Sequence, residues 1–171
     1  PLYIGERINS VQNEYSDNYS VIKDCNMIIG EMKDTKSELA KQLLGTAWAI
    51  RSICYYNLLI RFCEPYNPIS AEDKLGLPLI DRFDMEAKPS RSDLKTTVSF
   101  IEEGFKNAIR YDISDTDYIF TSDVAKAYLT KLYFWTQQWE KAIQYAEELL
   151  SKYPMLEANQ YEDCLLYTSD A

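Results

Sequence analysis

The sequence predicts an all-α protein of stacked antiparallel helix pairs with one long irregular loop. Three observations carry that expectation. Apolar residues recur at three- and four-residue spacings through several long stretches, the period of an amphipathic helix. Only 5 glycines and 6 prolines occur in 171 residues, which disfavours an all-β or low-complexity chain. Two strongly periodic stretches are joined by Gln137 and Gln138 alone, so the helices they form have to be antiparallel neighbours. The length suits a single domain, 1–171, with a core of its own.

Taken in order, residues 1–18 end in a polar stretch, and a helix is expected to begin near Ser16 to Tyr19. Val21, Cys25, Ile28, Ile29 and Met32 then share one face, giving a helix to about Lys33. After a polar turn comes the most apolar helix of the chain, from Ser37 to about Phe62. Ala40, Leu43, Ala47, Ile50, Cys54 and Leu58 form one stripe on it; Leu44, Trp48, Tyr55 and Leu59 form a second. A helix apolar on two sides is expected at the centre of the stack, where Arg51 needs a carboxylate or carbonyl partner.

Residues 64–89 differ in kind. They hold Pro65, Pro68, Pro78 and Pro89, a polar patch at 70–74 and an extended-looking run at 76–80. A loop this long in a compact helical domain is uncommon and often functional; the other reading is a surface crossover between two helices. Helix resumes near Ser92, with Leu94, Val98, Ile101, Phe105, Ala108 and Ile109 on one face. Residues 111–120 read as an acidic linker, and Thr121 caps the next helix. The closing hairpin places Ala125, Leu129, Leu132, Tyr133 and Thr136 against Ala142, Ile143, Ala146, Leu149 and Leu150, and Pro154 ends it. Leu129, Tyr133, Trp139, Ala142 and Pro154 stand at the positions of a tetratricopeptide-type repeat, with Thr130 where the repeat has glycine. Such a hairpin cannot bury its apolar face alone.

Composition removes several kinds of chemistry. A net charge of -9 argues against nucleic acid as a partner. The absence of histidine excludes His-dependent nucleophilic catalysis and His-ligated metals. Cys25, Cys54, Cys63 and Cys164 show no CxxC spacing, and the first two are expected to be small buried hydrophobes. Asp112, Asp115 and Asp117 lack the pattern of a calcium loop. Glu102 and Glu103 are adjacent on a helix and diverge, which does not suit paired acid–base work. No catalytic residue, metal or cofactor is expected. Trp135 and Trp139 stand where a repeat hairpin packs its aromatics, so core is the expected role for both. Tyr66 and Asn67 are the ligand candidates, because sugars stack on aromatic rings while amides satisfy their hydroxyls. The alternative for them is an ordinary Pro-Tyr-Asn-Pro turn.

An ordered set of segments resembles the SusD-like (RagB/SusD) family. Tyr19 to Ile22 with Asn26 to Ile28 is similar to that family's opening helix. Gly45 to Ser52 followed by Tyr55 to Leu58 resembles its Gly-Glu-Ala and Leu-Arg-Ala steps, with Thr46 replacing the glutamate and Ser52 the alanine. Gly76 to Leu79 is similar to its Gly-Val-Pro-Leu, and Ser90 to Ser92 to its Arg-Ser-Ser stretch. Residues 122–156 resemble its helix pair. Phe62 and Cys63 depart from its aromatic-Gly step.

The resemblance implies a surface lipoprotein of the outer membrane that captures glycans or other nutrients for a TonB-dependent SusC-like transporter. The helical part would serve as scaffold and transporter-facing surface. It also implies that the chain is an N-proximal portion of a larger protein, with attachment to the membrane only through a lipid anchor absent here. Pro1 is read as an internal cut, and residues 164–171 as a non-native tail. A tetratricopeptide-type adaptor binding peptides is the alternative from another class; a helical glycosidase is the third, lacking a suitably arranged acid pair.

Overall fold

The computed structural model describes residues 2–84, 86, 88–111, 120–157 and 160–161, with side chains from residue 13 onward. The elements run α1 (Leu2–Met32), α2 (Glu38–Phe62), β1 (Leu75–Pro78), β2 (Arg91–Asp93), α3 (Leu94–Arg110), α4 (Ser122–Trp135) and α5 (Trp139–Lys152). Each helix packs on the next in sequence, and α2 also touches α4. The expected all-α stack is therefore present, with α2 at its centre.

The core lies where α2, α3 and α4 meet. Tyr55, Leu58 and Leu59 of α2 face Ile101 and Phe105 of α3 and Leu129, Leu132 and Tyr133 of α4, each 1% exposed or less. Burial on that scale stabilises by about 1.5–3 kcal/mol for each large side chain. Close approach of α2 and α3 depends on Gly104, where a Cβ would run into the Ser52 side chain. The first turn of α3 leaves no amide stranded. Leu94 N–H donates to the Lys74 carbonyl at 2.8 Å, and Lys95 N–H to the Ala71 carbonyl at 3.2 Å. Thr96 N–H donates to the Asp93 carboxylate at 2.6 Å. Thr121 caps α4 as expected, accepting from Val124 N–H. Between α4 and α5, Gln137 takes a left-handed φ of 62° to close the tight link.

Four expectations need correction. Helix α1 begins at Leu2, well before Ser16. Its inner face carries Ile22, Cys25 and Asn26, while Val21 and Ile28 are both 39% exposed. The face is rotated because Tyr19 and Asn26 turn inward to hydrogen-bond the crossover. Leu43, placed in the buried stripe of α2, is 40% exposed near that helix's beginning. The crossover is also not wholly irregular: β1 pairs antiparallel with β2, Leu75 opposite Asp93 and Pro78 opposite Arg91, with a register shift between. The acidic linker from 112 to 119, with Asp112, Asp115 and Asp117, lies outside the described residues. So do Cys164 and the segment 164–171.

Candidate functional site

The crossover from α2 to α3 is held down along its second half by buried polar side chains. Tyr19 Oη donates to the Pro78 carbonyl at 2.9 Å. Tyr55 Oη accepts from Ile80 N–H at 2.8 Å and donates to the Ile80 carbonyl at 3.2 Å, as a neighbouring strand would. Asn26 Nδ2 donates to the same carbonyl at 2.8 Å. Its Oδ1 accepts from the Arg51 guanidinium at 2.6 Å, and Arg51 also reaches the Asp81 carbonyl at 3.4 Å. Arg51 is 3% exposed and sits 4.1 Å from the Trp48 ring centroid and 5.3 Å from that of Phe100. The partner demanded of a buried Arg51 thus proves to be an amide oxygen, a carbonyl and two aromatic rings. Burial lowers its pKa from the usual arginine value.

Further along, Leu77 N–H donates to Thr97 Oγ1 at 3.0 Å, and Arg91 Nε donates to the Gly76 carbonyl at 2.7 Å. Gly76 lies so close to α3 that a Cβ there would collide with Thr97 Oγ1 and the Asp93 carbonyl. A glycine in this strand is what lets the two backbones meet.

The first half of the crossover, which carries Tyr66 and Asn67, is treated differently. Tyr66 is half-buried, its ring centroid 5.9 Å from that of Trp135 at an interplanar angle of 50°. Its carbonyl accepts from Gln137 Nε2 at 3.3 Å, tying it to the α4–α5 turn. Asn67 is exposed; its Oδ1 accepts from Ile69 N–H at 2.9 Å and its carbonyl from Ser70 N–H at 3.1 Å. That is a side-chain-closed turn, with Ile69 94% exposed at its tip. The Tyr66 hydroxyl and the Asn67 amide nitrogen make no hydrogen bond among the described residues. The structure therefore brings Tyr66 together with Trp135 and Gln137, and sets Asn67 beside them in solvent.

Two larger concavities escaped the sequence reading. A cleft of about 570 Å³ lies between the end of α1, Trp48 and residues 81–83. It has aromatic walls in Trp48 and Phe83, but Asn26 and the Trp48 ring are engaged with Arg51. The second is a groove of about 490 Å³ along α4 and α5, lined by Phe134, Trp135, Trp139, Ala142, Ile143 and Ala146 among others. Trp135 is half-buried, whereas Trp139, expected in the core, is 51% exposed and meets Phe134 edge-on at 5.2 Å. The expectation of a core role for Trp139 is thus corrected: it opens α5 at the surface, and among the described aromatic rings its own meets only that of exposed Phe134.

The shifted titratable groups outside the crossover answer to burial and pairing within the stack. Burial pushes the Cys25 thiol up to about 11 and the Cys54 thiol up to about 12, which keeps both protonated at neutral pH. Partial burial raises Glu102, but the bonds from Lys106 and Tyr133, with Lys141 nearby, outweigh it and hold the carboxyl below its usual range. Glu102 thus serves as an acceptor tying α3 to α4. Among the described residues no three metal-ligating side chains come together, and no helix is long and apolar enough to cross a membrane.

Comparisons with known proteins fit this geometry. The family model SusD-like_3, "Starch-binding associating with outer membrane", matches residues 4–159. A SusD-like carbohydrate binding protein from Bacteroides vulgatus ATCC 8482 superposes with a TM-score of 0.72 at 21% identity, over 86% of this chain and 33% of that one. A structure solved with xylogluco-oligosaccharide gives 0.70 at 20% identity, over 91% and 32%. A laminarin binding SusD-like protein gives 0.63 at 20% identity, over 80% and 29%. At these identities the likeness is one of fold, and the chain spans about a third of the length of each of these relatives. No curated protein matches the sequence. Proteins of this family bind carbohydrate and are not catalysts. With a family match over nearly its whole length and the same helical stack, the chain belongs to the SusD-like family.

Proposed function

We propose that this chain is the N-proximal portion of an outer-membrane surface lipoprotein that captures a glycan and passes it to a TonB-dependent SusC-like transporter. The helical stack acts as scaffold and transporter-facing surface, and Tyr66 and Asn67 touch the ligand. The family match supports glycan binding as the activity. Related folds described as laminarin binding, or solved with xylogluco-oligosaccharide, support a glucan as the ligand class.

One observation carries the choice of site. Tyr66 is steadied by Trp135 and Gln137, while its hydroxyl and the neighbouring Asn67 amide nitrogen remain available to sugar hydroxyls. A ring already fixed by its neighbours loses little freedom on stacking against a sugar face. The cleft beside Trp48 is disfavoured because its inner polar groups already hold the crossover. The test replaces Tyr66 and Asn67 by alanine in the full-length protein and titrates laminari- and xylogluco-oligosaccharides by calorimetry. A loss of roughly 10-fold or more in affinity is expected, the equivalent of about 1.4 kcal/mol. Unchanged affinity removes these two residues from the site.

A further inference from the structure

The turn closed by Asn67 runs straight into a second one, in which Asp73 N–H donates to the Ser70 carbonyl at 3.1 Å. Each such turn brings its ends within about 7 Å, which keeps Glu72 within reach of a short oligosaccharide seated at Asn67. The second turn is fastened to α3. Lys95 N–H donates to the Ala71 carbonyl at 3.2 Å, and Leu94 N–H donates to the Lys74 carbonyl at 2.8 Å. Lys95 also reaches back with its side chain, and its ammonium donates to Glu72 Oε1 at 2.5 Å. That bond is the main cause that raises the Lys95 pKa, and the Tyr66 phenol acts on the same ammonium more weakly. Tyr66, Lys95 and Glu72 therefore share one neighbourhood.

The cations and carboxylates of this neighbourhood are not equally engaged. Lys74 pairs with Glu64, and Lys95 pairs with Glu72. Arg91 donates to the carbonyls of Gly76 and Leu75, and Lys141 donates to the Gln138 side chain. Asp73, by contrast, is exposed, and its carboxylate makes no hydrogen bond or ion pair among the described residues. A carboxylate offers about four acceptor sites, and Lys95 takes one of them on Glu72. What is left over for a ligand is hydrogen-bond acceptance by carboxylates.

We propose that Glu72 is a third ligand residue of the Tyr66–Asn67 site, and that the site prefers uncharged glycans. The Glu72 carboxylate accepts hydrogen bonds from adjacent sugar hydroxyls, and these bonds are charge-assisted, hence stronger than those made by the Asn67 amide. Lys95 holds the carboxylate from α3, which reduces the freedom lost on binding. A uronate or sulfate on the ligand finds every nearby cation occupied and meets the carboxylates of Glu72 and Asp73. Exposed charges are screened, so the preference amounts to roughly 10-fold rather than to exclusion. This inference rests on the reading of Tyr66 and Asn67 as glycan contacts, to which it adds a residue and a charge preference.

The experiment uses the full-length protein and two matched probes, a laminari-oligosaccharide and the same oligosaccharide with its primary hydroxyls oxidised to carboxylates. Both are titrated by calorimetry into wild type, Glu72→Gln and Lys95→Met, and thermal melting is read in parallel. Wild type is expected to prefer the neutral probe by roughly 10-fold at low salt and by less at high salt. Glu72→Gln is expected to lose about 5-fold or more in affinity for the neutral probe at an unchanged melting temperature. Lys95→Met is expected to show a smaller loss in the same direction. Wild-type affinity in Glu72→Gln, where Tyr66→Ala with Asn67→Ala loses binding, overturns the inference and leaves the glycan site standing. Equal affinity of wild type for the two probes overturns it too. So does a loss in Glu72→Gln accompanied by a melting temperature lower by several degrees, since Glu72 is then a prop of the limb. A double variant of Tyr66 and Asn67 that binds as wild type does removes the site itself, a result distinct from any failure of Glu72.

Discussion

The two limbs of the α2–α3 crossover are held in opposite ways by different parts of the helical stack. Residues 75–81 are gripped by Tyr19, Asn26, Arg51 and Tyr55 from below and by Thr97 and Arg91 from the α3 side. Residues 64–70 rest on one ring contact, one side-chain bond from Gln137, a surface Glu64–Lys74 ion pair and a local turn. The difference teaches how a helical scaffold presents a surface. Buried polar groups are expensive unless paired, so a limb built on them has one conformation. The other limb is thereby positioned at its far end and left with unspent hydrogen-bonding groups facing water.

The largest effect should come from breaking the grip. Asn26→Ala strands a buried guanidinium and removes one partner of the Ile80 carbonyl, with an expected cost of about 3 kcal/mol or more in chemical denaturation. Next comes Tyr55→Phe, which deletes both bonds to Ile80 and leaves the ring packing in place; about 1–2 kcal/mol is expected. The same hydroxyl predicts an alkaline effect. Burial pushes Tyr55 up from 10.0 to about 12, so the folded state holds its proton more tightly than the unfolded state. Its contribution is complete below pH 10 and is lost as pH rises towards 12, and Tyr55→Phe should make that part of the stability profile flatter. At the α3 end, Asp93→Ala removes the cap on Thr96 N–H and should cost about 1 kcal/mol. The smallest effect belongs to the open limb: Tyr66→Ala with Asn67→Ala should change stability by no more than about 1 kcal/mol. A cost equal to that of Asn26→Ala would erase the contrast between the limbs.

Much of this architecture is legible in the sequence where apolar periodicity is undisturbed. The face of α3 reads true from Leu94 to Ala108 because every inward position is apolar or small. Arg51 declares a need for partners simply by standing between apolar stripes. The face of α1 misleads for the opposite reason: its inward positions include Tyr19 and Asn26, whose task is hydrogen bonding, so counting apolar residues selects Val21 and Ile28 instead. The short β1–β2 pair is hinted at only by the extended run at 76–80, because its strands are four and three residues long and far apart in sequence. Trp139 misleads because the repeat spacing marks an aromatic position without saying which side of the hairpin is covered; here it stays half-exposed against Phe134. Tyr66 and Asn67 could be picked out by residue type, but the contact of Tyr66 with Trp135 and Gln137 spans about 70 residues and needs the fold.

The most direct test of the central claim, that the open limb is the glycan contact and the gripped limb its support, is residue-resolved NMR during titration with laminari-oligosaccharides. Resonance changes concentrated at Tyr66, Asn67 and Gln137, with Pro78 to Asp81 unmoved, are the predicted result. Changes centred on Trp48 and Phe83, or none at saturating oligosaccharide, would contradict it.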